Sequence, residues 1–400
     1  MRISPYRLLC AAGLFAIFSS TMAKSPVLPL YAAYLGAGPK GIGFAAAVSP
    51  LAGILFSVPA GALADRYGNR RVLLLSSAVF FTAPLLYLTV SGVAGLAIVR
   101  FYHGLATAAF IPVAMAAISR LHDENRGEAL GMFSSATLLG RFFAPMAGGA
   151  IIGLFAVNPA MGFKGVYAVC AAFGLITLLI VARLPKDTGE QRSAQKAGQM
   201  GGRAAGVLKT LLELVARKNI LITALVEAAV LFAYGAFETF LPLYAIERGM
   251  GAYEIGAILS SQIISVALTK PLMGRFSDRY GRLGQINAGL LLCAVSVGLI
   301  SRAGGFTACL VPSVMFGLSV SVVTSATSAR IADLSRREQL GSSMGMFASV
   351  MDMGHSTGPL AAGMIAAYLG LGRVFEISGA VLIAAFLVFG VYTLGFNKRT

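Results

Sequence analysis

The chain has 400 residues, of which 57% are hydrophobic and 12% charged, and its mean hydropathy is +0.79. An ordinary soluble domain carries roughly 25% charged residues. The apolar runs are too long and too evenly distributed for a water-facing surface. The composition therefore excludes a set of soluble domains and indicates an integral membrane protein.

The formal net charge of +16 would suit a nucleic-acid partner, but the placement of the charges indicates another cause. About 23 of the 32 Lys and Arg residues fall at the termini and in alternate connections between the apolar runs. This asymmetry follows the positive-inside rule and predicts that both termini are cytoplasmic. No basic cluster is interleaved with exposed aromatic residues, so we expect no nucleic-acid partner.

Two blocks of sequence recur at one offset. Leu-Pro-Leu-Tyr-Ala occupies 28–32 and 241–245, and Asp-Arg-Tyr-Gly occupies 65–68 and 278–281, so both recur after 213 positions. Two such matches predict a duplicated half. The N-terminal segment imitates a cleaved secretory signal, but it has a full partner in the second half, so we expect it to be retained.

Each half contains six apolar runs near the roughly 20 residues that a helix needs to cross a bilayer. The predicted spans are 8–32, 42–64, 73–92, 96–119, 130–153, 165–184, 219–244, 255–274, 285–301, 306–330, 344–367 and 374–396. The sequence thus predicts an all-α membrane protein with twelve transmembrane helices in two pseudo-symmetric six-helix bundles. We expect the bundles at 1–184 and 219–400, joined by a polar cytoplasmic linker, 185–218, with a short amphipathic helix on the membrane surface.

The connection after the second span carries a motif of small, acidic and basic residues that recurs after the eighth span. The first copy holds Gly61, Asp65, Arg66, Gly68, Arg70 and Arg71, and the second holds Gly274, Asp278, Arg279 and Gly281. This double occurrence resembles the loop signature of the major facilitator superfamily of secondary transporters. The resemblance covers nearly the whole chain, and it implies the fold of that family and alternating access around a central site.

The loop motif has two interpretations. Its glycines are expected at tight backbone positions. The resemblance implies that Asp65 meets the N-terminus of the eleventh helix near Ser343, where free N–H groups favour a negative charge, and that Asp278 faces the start of the fifth. Such contacts would latch the two halves in the outward-facing carrier. The alternative is a topology anchor without a gating role.

The fifth span contains small residues in a pattern that resembles a motif of antiporters in the superfamily. The residues are Gly140, Ala144, Pro145, Gly148 and Gly149, and the eleventh span holds Gly354, Gly358 and Pro359. Spacing by four leaves a smooth face that another helix can approach closely. The resemblance implies antiport, and tight packing without directional meaning is the alternative.

Ionisable groups within a span cost at least roughly 2.5–3.5 kcal/mol on insertion scales, so each is a candidate for substrate or proton coupling. The candidates are Lys24, Arg100, His103, Arg141, Glu227, Glu238, Asp352 and His355. Burial changes the proton affinity of a carboxyl group, so Asp352 or Glu227 could carry a proton through the cycle. For each candidate the alternative is a buried polar group that only positions helices.

Two arginines among these candidates have more specific interpretations. Arg100 with Gly104 resembles a motif of proton-coupled members, which implies a part in proton movement, although Arg100 could instead snorkel to the outer boundary. Arg141 and Asp352 are near-equivalent in the repeat, and they could form an ion pair across the cavity.

The chain has no nucleotide-binding loop and no hydrolase or metalloprotease motif, so we expect a gradient-driven carrier and no enzyme. The four cysteines occur singly, which indicates neither disulfides nor a metal. No cofactor is expected, and the coupling ion is expected to be a proton.

The leading interpretation is proton-coupled efflux, by antiport, of a lipophilic or drug-like compound across the cell inner membrane. Lys24, Arg100 and Arg141 support an alternative, uptake or exchange of a small organic anion. A membrane sensor or scaffold that transports nothing is the third. The expected partners are the lipid bilayer and a small-molecule substrate, and a monomer is expected.

Overall fold

The computed structural model describes residues 4–122, 125–185, 217–335 and 340–397, and the regular secondary structure in these ranges is helical. In the first half the helices are α1 (Pro5–Met22), α2 (Val27–Tyr34), α3 (Pro39–Tyr67), α4 (Asn69–Tyr87), α5 (Val93–Leu121), α6 (Arg126–Leu154) and α7 (Pro159–Ala182). In the second half they are α8 (Lys218–Glu247), α9 (Ala252–Tyr280), α10 (Arg282–Ile300), α11 (Phe306–Leu334), α12 (Leu340–Leu369) and α13 (Leu371–Asn397). The predicted amphipathic helix of the linker lies outside the described residues.

Every predicted span falls on a described helix, with α1 and α2 together forming the first. Eleven helical segments of the described residues are long and apolar enough to cross a membrane. The helix α12, which covers the predicted span 344–367, is not among these eleven. The all-α membrane fold is confirmed, whereas the count of twelve spans stays a prediction.

The helices are longer than the apolar runs, because polar residues continue a helix beyond the hydrocarbon. The third predicted span, 73–92, is displaced: its helix runs from Asn69 to Tyr87. Gly68 alone separates this helix from α3, and its φ of +89° is a conformation that glycine adopts without strain. The chain therefore reverses in a single residue, and α4 starts four residues earlier than hydropathy predicts.

The first span is broken between α1 and α2. Pro26 cannot donate a backbone N–H, so it cannot continue the hydrogen-bond ladder of α1. The chain turns through residues 23–26, where the backbone N–H of Lys24 donates to the carbonyl of Thr21 at 3.0 Å. Pro26 thus interrupts this span, and Lys24 lies in the interruption.

The repeated Leu-Pro-Leu-Tyr-Ala block has a matched structural role in the two halves. The hydroxyl of Tyr31 donates to the carbonyl of Tyr87 at 2.9 Å. In the second half the hydroxyl of Tyr244 donates to the carbonyl of Ser301 at 2.8 Å. Each tyrosine ties the end of its first span to the connection between the third and fourth spans, so the duplication is structural as well as sequential.

The chain forms two compact units, one with residues 1–199 and Gly251–Ser260, the other with residues 200–250 and 261–400. In the first unit α1 packs against α6 and α7, and α4 packs against α5 and α7. In the second unit α8 packs against α12 and α13, and α10 packs against α11 and α13. These are the pairs that the repeat makes equivalent, so the two units share one packing scheme.

Candidate functional site

A carboxylate and a histidine of the second unit meet between α8 and α12. Oε2 of Glu238 lies 3.4 Å from Nε2 of His355, and their side chains are 10% and 20% exposed. The ring of Tyr234 stands edge-on to the imidazole, with centroids 5.6 Å apart. A Cβ at Gly235 would lie 2.8 Å from the backbone oxygen of His355, so glycine admits this approach. The two candidates form one acid and base pair that can hold a proton.

Asp352 lies one turn away on the same helix. It precedes His355 by three residues, and residues three apart are neighbours on a helix surface. Its side chain is half-buried. The ion pair expected between Asp352 and Arg141 would join the two units, and it stays a prediction; Arg141 is an exposed residue of α6.

Glu227 is completely buried on α8, three turns before Glu238. Its Oε2 lies 2.6 Å from Oγ1 of Thr327 on α11, and its Oε1 has no hydrogen-bond partner among the described residues. In the neighbouring turn, Nε of Arg330 donates to Oγ1 of Thr223 at 3.1 Å. Two polar contacts therefore join α8 to α11, with the carboxylate and the guanidinium in separate turns.

Sequence reasoning missed the two polar residues of α11 that contact α8 near this carboxylate. Arg330 stands at the end of the predicted tenth span and resembles a boundary charge, yet it is 9% exposed. Thr327 precedes it by three residues, which places both on one helical face. A polar face on α11 was the available signal, but threonines are common enough in such spans to hide it.

Arg100 and His103 lie apart from these acids in sequence, on α5 of the first unit. They are 3% and 1% exposed. The imidazole of His103 lies beside the ring of Tyr87, with centroids 6.0 Å apart. Arg100 makes no ion pair among the described residues, so the structure gives it no carboxylate partner there.

In each loop motif, the residues before the last glycine belong to a helix, and the next helix begins directly after it. Gly68 and Gly281 have φ values of +89° and +91° and form the whole connection between two helices. Gly61 and Gly274 instead lie inside α3 and α9, where a Cβ would meet open space. The expectation of tight backbone positions is therefore right for the last glycine of each motif and wrong for the first.

The acidic residue of each loop motif is linked by ion pairs to the end of the fourth span of its own unit. The link is direct in the first unit and passes through an arginine in the second. Asp65 accepts a hydrogen bond from Nη2 of Arg120 at 3.1 Å. In the second unit Arg282 lies 3.4 Å from Asp278 and 2.6 Å from Asp333, the repeat equivalent of Arg120. These pairs hold the loop to α5 or α11. The latch from Asp65 to the eleventh span would join the two units and stays a prediction.

The arginines of the motif contact helix ends and rings. Arg70 donates to the carbonyls of Leu184 and Ala182 at 2.8 Å and 2.9 Å, where basic groups offset the negative end of α7. Arg66 and Arg279 each lie over the tyrosine that follows them, 5.2 Å and 5.4 Å from the ring centroid. Arg71 is exposed.

The small residues of α6 and α12 mark close backbone approaches within each unit. A Cβ at Gly140 would lie 2.5 Å from the carbonyl oxygen of Leu14 on α1. A Cβ at Gly354 would lie 2.3 Å from the carbonyl oxygen of Ala228 on α8, and one at Gly358 would also meet α8 backbone. The motif residues Ala144, Pro145, Gly148 and Gly149 on α6, and Pro359 on α12, are buried too. Each smooth face thus packs on the first helix of its own bundle.

The sequence model of the Major Facilitator Superfamily matches residues 9–267 and 248–397. The chain belongs to this superfamily. Its membership confirms the prediction of a multi-pass secondary transporter that works on a small-molecule substrate in a lipid bilayer, and it agrees with the expectation that the chain is no enzyme.

Two distant relatives each cover nearly all of this superfamily member. An uncharacterized MFS-type transporter of Methanocaldococcus jannaschii is 24% identical over 367 residues, 91% of this chain and 92% of that protein. Multidrug resistance protein 2 of Bacillus subtilis is 22% identical over 363 residues, 90% of this chain and 88% of that protein. The crystal structure of the nucleoside transporter NupG superposes with a TM-score of 0.76 at 14% identity, covering 97% of this chain and 99% of that one. This last likeness shows the shared fold.

Proposed function

We propose that the chain is a proton-coupled antiporter that exports a lipophilic or drug-like compound across the cytoplasmic membrane, with both termini in the cytoplasm. It acts as a monomer, without a cofactor and without a nucleic-acid partner. The positive-inside distribution of Lys and Arg supports the orientation. The name of the Bacillus subtilis relative and the antiporter-like motif of α6 support export.

The observation that carries proton coupling is the buried carboxyl group of Glu227. It makes no ion pair among the described residues, and one of its oxygens has no hydrogen-bond partner there. Leaving an ionised carboxylate in such a place costs more than leaving a neutral acid. A group that is neutral when enclosed and ionised when exposed to water is suited to carry a proton in an alternating-access cycle.

Thr327 can report the protonation state of Glu227. Its hydroxyl oxygen lies 2.6 Å from the carboxylate and 3.0 Å from the carbonyl oxygen of Val323, but the hydroxyl has one proton. When Glu227 is ionised, the hydroxyl donates to it. When Glu227 is protonated, the carboxyl donates to Thr327 and the hydroxyl can turn to Val323. The proton thereby changes the contact between α8 and α11.

The pair of Glu238 and His355 is a second proton-binding group on the same helix. Its 3.4 Å separation allows an ion pair when the imidazole is protonated and a weaker contact when it is neutral. With Asp352 one turn away, the pair supplies titratable groups along α8 and α12. We assign to it the exchange of the proton with solvent, because its side chains are partly exposed and Glu227 is not.

The test is proton flux in proteoliposomes that enclose a pH-sensitive dye, with lipophilic cations and small carboxylates added in turn. Antiport requires that substrate entry makes the interior alkaline. Glu227→Gln should abolish the pH change and keep the exchange of labelled for unlabelled substrate, which moves no net proton. Glu247→Gln, an exposed acid at the end of the same helix, is the matched control and should behave as the unchanged protein.

A second function is favoured by Lys24, which lies half-buried in the interruption of the first span. A cation at that place suits uptake or exchange of a small organic anion. In the same assay a carboxylate substrate would then acidify the interior, and that result would refute export by antiport. No response to any compound by folded protein would favour the sensor or scaffold.

A further inference from the structure

Four polar side chains of the first unit are buried together. They lie at the end of α4, near the start of α5 and in α7. Tyr87 is 0% exposed, Arg100 3%, and His103 and Tyr167 are each 1% exposed. The rings of Tyr87 and Tyr167 stack with centroids 4.6 Å apart, and His103 lies beside Tyr87. Arg100 precedes His103 by three residues on α5, so the two lie on one face of this helix, and its side chain lies beside the hydroxyl of Tyr87. The four groups thus form one cluster, the buried tyrosine and arginine cluster.

The cluster leaves polar atoms without partners. Among the described residues, no hydrogen bond satisfies Nε of Arg100, either ring nitrogen of His103, or the hydroxyl of Tyr167, whereas the hydroxyl of Tyr87 has the guanidinium of Arg100 beside it. Burying one unpaired polar group costs on the order of 1–3 kcal/mol, and a buried charge costs more. Several such atoms at one place suit a ligand that can pair with more than one of them.

The second unit shows that the fold itself does not need these groups. The repeat that aligns Gly104 with Gly317 aligns α5 with α11, and Phe163 and Phe375 contact equivalent tyrosines and align α7 with α13. The equivalents of Tyr87, Arg100, His103 and Tyr167 are then Ile300, Ser313, Phe316 and Gly379.

These equivalent residues have no side-chain polar atom that lacks a hydrogen bond. Ile300 and Phe316 are apolar and fully buried, and the hydroxyl of Ser313 donates to the carbonyl of Cys309 at 2.7 Å. The same packing scheme is thus built without a cation at this place. The polar groups of the first unit consequently serve something other than the packing of the bundle.

The chemistry of the cluster selects the ligand. A guanidinium can only donate hydrogen bonds, a tyrosine hydroxyl donates one, and a neutral imidazole donates through one of its nitrogens. Three donor groups lie around the permanent positive charge of Arg100, and no carboxylate offsets that charge among the described residues. An anion small enough to be enclosed by four buried side chains satisfies both requirements.

We propose that Tyr87, Arg100, His103 and Tyr167 enclose a binding site for a small inorganic anion, with chloride as the ion that fits it. The anion neutralises Arg100 and stabilises the contacts of α4 with α5 and with α7. It is a resident ligand within the bundle, since none of the four side chains is more than 3% exposed. The site is independent of the exported compound and of the proton-binding groups on α8 and α12.

The test measures the thermal unfolding midpoint of the purified full chain in detergent. Sodium chloride is compared with sodium gluconate at equal ionic strength. A specific site predicts a rise on the order of 2 °C for each tenfold increase in chloride above saturation, because a ligand that binds the folded state stabilises it logarithmically. Equal midpoints in the two salts would overturn the proposal.

Variants test whether the dependence of the unfolding midpoint on chloride arises at this cluster. Arg100→Gln should remove the dependence on chloride, and Tyr167→Phe, which deletes one hydroxyl, should raise the half-saturating chloride concentration about tenfold or more. Arg302→Gln, which removes an exposed arginine between α10 and α11, should leave the dependence intact. A dependence that survives Arg100→Gln would place the ion elsewhere and refute the site.

Diffraction tests the site in the unchanged protein, so it does not depend on a variant that folds. Crystals grown in sodium bromide and measured at the bromine absorption edge should give an anomalous peak between Arg100 and the hydroxyl of Tyr167. Ordered water at that place, with no anomalous signal, would show that buried water satisfies the cluster and would overturn the proposal.

Discussion

Replacing Gly358 of α12 by alanine should destabilise the second unit. The new Cβ would lie 2.2 Å from the carbonyl oxygen of Phe232 and 2.9 Å from its carbonyl carbon. These are backbone atoms of α8, which cannot rotate away as a side chain could. The helices must separate by about 1 Å, and overpacking of this kind costs about 1–3 kcal/mol.

The cost of overpacking should lie at the upper end of its range, about 3 kcal/mol, because the backbone of a whole helix must move. Alanine also favours a helix over glycine by about 1 kcal/mol, so the net loss should be about 2 kcal/mol. The matched control is Gly345→Ala in the same helix, where a Cβ would meet no atom within 4 Å. That substitution should be neutral or stabilising by up to about 1 kcal/mol.

The assay is unfolding of both variants in the same detergent, followed by intrinsic tyrosine fluorescence or by reactivity of the buried cysteines. Gly358→Ala should unfold at a lower temperature than the unchanged chain, and Gly345→Ala should not. If Gly358→Ala were as stable as Gly345→Ala, the close approach of α12 to α8 would be wrong.

Three further predictions rest on single contacts. Thr327→Val should weaken proton coupling while substrate exchange persists, because Glu227 loses its hydrogen-bond partner; the pH-dye assay measures this. A double-mutant cycle on Asp65 and Arg120, which are 62% and 55% exposed, should give a coupling of about 1 kcal/mol or less that falls with added salt. Gly68→Ala should lower stability by about 1–3 kcal/mol, because φ of +89° with ψ of 148° is a backbone conformation that essentially only glycine adopts, and thermal unfolding measures the loss.

Each of these three has a control in the chain. Thr327→Ser keeps the hydroxyl and should keep the coupling, so a loss equal to that of valine would argue against the hydrogen bond. A coupling well above 1 kcal/mol, unchanged by salt, would mean that the Asp65 pair is not exposed. Gly61→Ala lies in the same motif but inside α3 in open space, and it should be tolerated. Equal losses at Gly61 and Gly68 would contradict the turn.

The sequence predicted the helices well because each span must satisfy its backbone hydrogen bonds internally and face lipid. Both requirements are local, so long apolar runs reveal them. The duplication was visible because both copies kept their turn residues, as Gly68 and Gly281 show. Helix ends were less accurate, since hydropathy does not detect polar residues such as Asp65 that continue a helix beyond the hydrocarbon.

The candidate site was predicted as a set of residues, not as contacts. A charge within a span is rare enough to mark Glu227 or Arg100 from sequence alone. Tyr87, Tyr167 and Thr327 carry no such mark, because aromatic and hydroxyl residues are ordinary in apolar helices. The signal that could have found the tyrosines is the repeat, where the second half replaces both.

A duplicated helical membrane protein of a transporter family is predictable from the amino-acid order alone, because hydropathy, repeat offset and turn chemistry can be read along the chain. Which of the candidate residues meet depends on how the helices pack. Hydropathy fixes the depth of a residue along a helix but not the rotation of that helix or its neighbour. That rotation brings Glu238 to His355, sets Glu227 against a threonine, and places Arg100 beside tyrosines, with no carboxylate partner in the part of the chain that the structure describes.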